Sequence, residues 1–196
     1  ADEKKKVAEV LGKLRAELGR RFGLIKNGEF KFGWIKDFPL FEWNKDENRW
    51  EAAHHMFASP KPEHVELLEK APEKVLGRLY DLVLNGTELG SGSIRINDPE
   101  LQEMVMKVVG LSHEAAEKKF GFLLEAYKYG APDHGGMGIG FDRTVALMMG
   151  LHDIRDVIAF PKNKKAESPM DGSPSEIEER QLKELRIKSD VVKKSE

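Results

Sequence analysis

The 196 residues predict an α+β fold in which an antiparallel sheet is flanked by helices. Strand-like segments are joined by tight turns and pair as hairpins. Helical segments come in blocks, and the regular strand–helix–strand alternation of a parallel sheet never sets in. Hydrophobic residues make up 40% and charged residues 34%, the balance of a chain that packs a core. That length suffices for one domain or a large piece of a bigger one.

From the first residue onward, Val7, Val10, Leu11, Leu14, Leu18 and Phe22 recur in steps of three and four between Lys, Arg and Glu, which predicts a helix. Gly23 and the Asn27-Gly28 pair break it. Phe30, Phe32, Trp34 and Ile35 read as a strand. Leu40 to Trp43 and Arg49 to Glu51 read as a hairpin around the polar loop Asn44 to Asn48. Pro62 to Lys70 is expected as a short helix with proline in its first turn. Tyr80 to Leu84 and Thr87 to Ile96 read as strands either side of the tight turn Asn85-Gly86. Helices are expected over Pro99 to Val109 and, started by Ser112, on to Tyr129. Gly135 to Gly140 reads as a glycine-rich strand leading into a helix, Phe141 to Met149. Beyond Pro161 an exposed segment and a terminal helix over Ile177 to Ile187 are expected.

Composition also excludes functions. Without cysteine there is no disulfide or thiolate metal site, which fits a reducing, cytoplasmic setting. No apolar run approaches the ~20 residues that cross a bilayer, and the start Ala1 to Lys6 is no signal peptide. A net charge of −2 lacks the basic footprint of a dedicated nucleic-acid-binding domain. An RNA partner would therefore owe much of its electrostatic attraction to another part of the protein.

Three clusters can carry chemistry. Asp81 and Glu88 flank Asn85-Gly86, and carboxylates on paired strands can converge to hold magnesium with phosphate oxygens. Spacing alone also reads as two unrelated surface acids near a turn. Gly90-Ser91-Gly92-Ser93-Ile94-Arg95 joins a strand whose glycines let a ligand approach the backbone to an arginine fork suited to carboxylate or phosphate. The alternative is a bulged edge strand and an ordinary arginine. Gly135-Gly136-Met137-Gly138-Ile139-Gly140-Phe141-Asp142-Arg143 opens space along a strand and sets an arginine in a first helical turn, where the helix dipole disfavours it unless an anionic or aromatic ligand is present. It is neither a dinucleotide fingerprint nor a P-loop. His54 and His55, adjacent on a strand end, point to opposite faces, so one is expected in a pocket and the other packed or exposed.

Taken in order, these blocks resemble the second half of a bacterial-type aspartyl-tRNA synthetase, a class II aminoacyl-tRNA synthetase. The resemblance runs from about residue 7 to 165 through Asp37 to Glu42, Ala53-His54-His55-Met56-Phe57, Asn85 to Ile96, Lys119 to Leu124 with Tyr129-Gly130, Gly138 to Arg143 and Arg155 to Lys162. Family members usually carry proline where Met56 stands and a third glycine where Ser91 stands. The resemblance implies residues 1–28 as the helical end of an insertion domain with its connector. It implies 29–165 as the C-terminal part of the catalytic domain and 166–196 as an exposed segment with a helix.

It also implies an activity: L-aspartate is activated with ATP and transferred to the 3′ end of tRNA, with Mg2+ as cofactor. Arg95 would pair with the aspartate side chain and His54 would contact the amino acid. Glu88 would contact ATP and, with Asp81, hold magnesium. Arg143 would stack on adenine and reach the γ-phosphate, with Gly140, Phe141 and Asp142 shaping that pocket. Arg143, Glu88 and Arg95 are thus the expected catalytic residues. The family's first and second motifs do not occur, so the chain is expected to be incomplete by itself and the complete enzyme a homodimer. Rival readings are a paralogous ligase resembling asparagine synthetase A and a non-catalytic partner-binding fragment.

Overall fold

Apolar steps of three and four do form a helix, α1 (Lys4–Arg21), in a computed structural model that describes residues 4–24, 26 and 28–188. Gly23 ends it at φ +63°, and the Leu24 N–H reaches back to the Gly19 carbonyl at 2.9 Å. Its apolar stripe, Val10, Leu11 and Leu14 included, is exposed. Of the expected Asn27-Gly28 break, Gly28 has φ +79°, and Asn27 lies outside the described residues.

Strand β1 (Phe32–Lys36) follows, then β2 (Phe41–Asn44) and β3 (Arg49–Ala52), which pair as the expected hairpin. Trp43 faces Trp50 edge to face at 5.2 Å, the cross-strand aromatic pair that favours this register. The helix expected from Pro62 to Lys70 is instead two short 3-10 turns, Pro62–Leu67 and Pro72–Lys74. Pro72 is the reason: the residue before a proline is barred from helical geometry, and Ala71 sits at φ −153°, ψ 66°.

Strands β4 (Leu79–Leu84) and β5 (Thr87–Ile94) meet at Asn85 (φ 49°) and Gly86 (φ 84°), the two left-handed residues that a tight hairpin turn requires. Helix α2 (Pro99–Val108) is capped by Asp98, whose carboxylate accepts from Leu101 N–H at 2.8 Å. Helix α3 (His113–Lys128) is capped by the Ser112 hydroxyl, which accepts from Ala115 N–H at 3.2 Å. Strand β6 (Gly135–Ile139) completes an antiparallel sheet in the order β1-β4-β5-β6.

The core lies where the β2–β3 hairpin, the 3-10 turns and α2 meet, around Leu40, Leu68, Val75, Ile96 and Val105. A smaller cluster, Met106, Ala116 and Leu124, joins α2 to α3. Compactness divides the chain into two units, 1–141 and 142–196. The second is built on α4 (Phe141–Met148) and a seven-residue helix, α5 (Glu179–Leu185), shorter than the expected 177–187. In it, Asp153 caps a short 3-10 turn, and the Arg155 guanidinium and backbone N–H hold its carboxyl down at about 2. Among the described residues no helix is long and apolar enough to cross a membrane.

Candidate active site

One face of the sheet carries several of the candidate polar side chains, and a β-bulge decides which ones. From the Asn85-Gly86 turn, Leu84 pairs with Thr87 and Val83 with Glu88. The register then shifts, so that Leu82 pairs with Gly90 and Asp81 with Ser91, leaving Leu89 as the extra residue. Paired residues share a face and successive residues alternate. Asp81, Val83 and Glu88 therefore lie on one face, and the shift adds Ser91 and Ser93 to it. Asp81 and Glu88 are diagonal neighbours, about 7–8 Å apart across the strands. Glu88 is exposed, whereas Asp81 is nine-tenths buried and its Oδ1 has no hydrogen-bond partner among the described residues. A buried carboxylate oxygen without a partner costs free energy unless a ligand satisfies it.

On this face a cavity of about 440 Å³ is lined by His54, His55, Leu79, Ser91, Arg95, Gly136 and Gly138, among others. Arg95 follows directly on β5; its backbone N–H donates to the His134 carbonyl at 2.9 Å. Its guanidinium is half-buried and makes no salt bridge among the described residues. Its Nη1 lies 2.9 Å from Nδ1 of His55 and also contacts Nε2. Burial pushes the His55 pKa below the ordinary histidine value, and the charges of Arg95 and His54 push the same way. Tyr127, buried on α3, has its phenol pushed up by burial, while the nearby Arg95 charge pulls it down. His54 is exposed at the cavity mouth, with its ring edge-on to Phe38 at 5.4 Å.

The glycines divide into two kinds. On β5 the space a side chain would take at Gly90 and Gly92 is filled by protein, although Gly92 itself lines the cavity. A Cβ on Gly92 would lie 2.3 Å from the Gly136 carbonyl oxygen and 2.5 Å from the Tyr80 ring. Tyr80 crosses Gly92 to donate its hydroxyl to that carbonyl at 3.1 Å. Gly90 is closed similarly, 2.6 Å from the Gly138 oxygen. Open space belongs instead to Gly136 and Gly138 on β6, whose Cβ positions meet nothing within 4 Å and which line the cavity. Ser91, the extra bulk in the glycine-rich strand, also faces the cavity.

Gly140 donates its N–H to the Leu89 carbonyl at 2.7 Å, and Phe141 is exposed. Asp142 and Arg143 open the second unit, both exposed, in the first turn of α4. The first unit thus brings Arg95 and His54 to one cavity and sets Asp81 and Glu88 on the same sheet face, toward the Asn85-Gly86 turn and outside the cavity lining. Sequence reasoning left open which of the adjacent histidines takes the pocket; both line the cavity, and His55 is the one that meets Arg95. Among the described residues no cluster of three or more His, Cys, Asp or Glu is arranged to hold a metal. The Asp81–Glu88 pair, with one carboxylate oxygen unsatisfied, fits a cation that also takes ligands from a substrate.

Comparison with known proteins gives this geometry a family. A family model described as tRNA synthetases class II (D, K and N) matches residues 3–164. A relative from Treponema denticola named "Aspartate--tRNA(Asp/Asn) ligase" is 56% identical over 187 residues, 95% of this chain and 32% of its own length. One of the same name from Caldanaerobacter subterraneus is 54% identical over 191 residues, 97% of this chain and 32% of its own. The chain therefore spans about a third of the length of these curated relatives. Among solved structures, an aspartyl tRNA synthetase from Entamoeba histolytica aligns over 81% of this chain and 27% of its own, at 23% identity and a TM-score of 0.54. A putative aspartyl-tRNA synthetase from Leishmania major aligns over 86% and 27%, at 24% identity and 0.53. At such identity these two speak for the fold alone, and they agree with the antiparallel sheet and flanking helices. With the family model matching most of its length, the chain belongs to the class II tRNA synthetases (D, K and N).

Proposed function

We propose that these residues form the C-terminal part of the catalytic domain of an aspartyl-tRNA synthetase. In that reading it activates L-aspartate with ATP, releases pyrophosphate and transfers the aspartyl group to the 3′ end of tRNA. The carrying observation is Arg95: a half-buried guanidinium in a cavity, with no carboxylate partner of its own among the described residues. Such a charge favours an anionic ligand and rejects the neutral amide of asparagine, which would leave it uncompensated. The name shared by the relatives supports aspartate as that ligand. It also favours a synthetase over a ligase resembling asparagine synthetase A or a non-catalytic fragment.

Arg95 receives the aspartate side chain in this reading, and His54, at the cavity mouth, meets the amino acid. Gly136 and Gly138 leave the floor flat for the ligand. Glu88 and Asp81 hold Mg2+ against the ATP phosphates, where the ion's chemistry is to neutralise phosphate charge. Arg143 stacks on adenine with Gly140, Phe141 and Asp142 around it, a cation–π contact worth about 0.5–2 kcal/mol. Catalysis of this kind is positioning and charge neutralisation. Residues 1–28 are then the end of an insertion domain and its connector, 29–165 catalytic, and 166–196 an exposed segment and helix. We assign the complete enzyme to a homodimer acting in the cytoplasm.

Two measurements test this reading. The 196 residues alone are expected to catalyse no aspartate-dependent ATP–pyrophosphate exchange, because no second-motif arginine for the α-phosphate is among them. Robust exchange by the purified chain overturns that expectation. In the complete enzyme, Glu88→Gln keeps shape but removes charge, and should raise the magnesium concentration needed for exchange several-fold. Glu103→Gln, on α2 and paired with His113 at 3.4 Å, should leave it unchanged. Identical magnesium curves for both variants would mark Glu88 as an ordinary turn-side acid.

A further inference from the structure

We propose that His55 is the positioning residue of Arg95, a neutral imidazole that accepts from the guanidinium and fixes the plane in which its other donors face the cavity. This rests on reading Arg95 as the anchor of the aspartate side chain. An arginine carries five N–H donors on a stem with much rotamer freedom. Among the described residues no carboxylate takes any of those donors, and the side-chain hydrogen-bond partner of the guanidinium is His55.

His55 is itself held from other directions. Ser93, 1% exposed, sets its hydroxyl 3.4 Å from Nε2. The Phe57 backbone N–H donates to Nδ1 at 3.3 Å, and the Phe57 ring lies 6.2 Å away, centroid to centroid. Arginine only donates, so the contact exists only while the ring keeps a lone pair. An imidazolium would have none and would set two cations against each other. Burial and the Arg95 charge both depress the His55 pKa, which keeps the ring neutral near pH 7. A fork fixed at one nitrogen presents its remaining donors in one direction. A carboxylate can accept two of them in parallel, and an amide, with one acceptor and one donor group, cannot.

Steady-state ATP–pyrophosphate exchange in the complete enzyme tests this with His55→Ala, His55→Leu and His55→Gln, each with and without Arg95→Ala. His55→Ala and His55→Leu are expected to raise KM for aspartate on the order of ten-fold, with KM for ATP unchanged. His55→Gln, which restores an acceptor, should recover most of that loss. In the Arg95→Ala background His55→Ala should add nothing, because the interaction it removes is already gone. If His55→Ala fails to fold, the Leu and Gln variants decide: equal KM for aspartate in both overturns the proposal. So does a fall in kcat with both Michaelis constants moving together, the mark of a structural role. A large effect of Arg95→Ala with silent His55 variants overturns the positioning role alone. An aspartate KM untouched by Arg95→Ala would remove the reading of the site on which this proposal stands.

Discussion

Replacing Arg95 with alanine in the complete enzyme is expected to cut kcat/KM for aspartate by on the order of a hundred-fold, with little change in KM for ATP. The guanidinium is half-buried, so part of its charge is screened by water. Breaking a fully buried pair costs about 3–5 kcal/mol, and hydrogen bonds to charged groups contribute about 1.5–3 kcal/mol. A loss near 3 kcal/mol corresponds to that hundred-fold. Arg95→Lys keeps the charge but loses the planar fork, so it should recover only part of the activity. Because no carboxylate of the described chain pairs with Arg95, the substitution should not unfold the protein. Thermal melting of Arg95→Ala separates the two effects: a melting temperature near wild type with lost aspartate use is the expected result. Unchanged kinetics for aspartate would reduce Arg95 to a surface arginine.

Two glycine substitutions on neighbouring strands are expected to fail in opposite ways. Gly92→Ala drives a methyl to 2.3 Å from the Gly136 carbonyl and 2.5 Å from the Tyr80 ring. Backbone cannot yield there without opening the β5–β6 pairing, so a loss of about 3 kcal/mol is expected, at the upper end of overpacking costs. For a unit of this size that is roughly 10 °C in melting temperature. Gly138→Ala meets nothing within 4 Å and should melt at the same temperature or slightly higher, since alanine lowers the entropy of the unfolded chain. Its methyl enters the cavity, so the Michaelis constants should rise while the fold stays intact. Calorimetry and exchange kinetics on both variants check the pair. Equal melting temperatures for the two would show that β5 tolerates side chains at Gly92.

Much of the architecture was legible because local chemistry and global fold agree. Asn85-Gly86 announces a hairpin that forms, Ser112 announces a helix start that forms, and Trp43 and Trp50 meet as the hairpin requires. The Pro62 helix was misread because the influence of Pro72 reaches back through Ala71. At the site, residue types were legible and directions were not. The glycines of β5 and β6 look alike in sequence. Only pairing distinguishes Gly92, closed by Tyr80 and β6, from Gly138, open to the cavity. His54 and His55 likewise differ only in which one the strand end turns toward Ser93 and Arg95.

Glu88 and Arg95 stand an odd number of residues apart, and an unbroken strand would send them to opposite sides of the sheet. The irregularity after Glu88 reconciles them. Arithmetic, as well as residue identity, thereby becomes part of the chemistry. Deleting Leu89 would leave every named side chain in the polypeptide and restore simple hairpin counting. Ser91, Ser93 and Arg95 would then stand an even number of residues from Glu88 and stay on the side of the acids. Closing the irregularity with Leu89 kept, so that Leu82 faces Leu89, would instead turn all three to the side of Tyr80 while a residue-by-residue inspection still finds every member present.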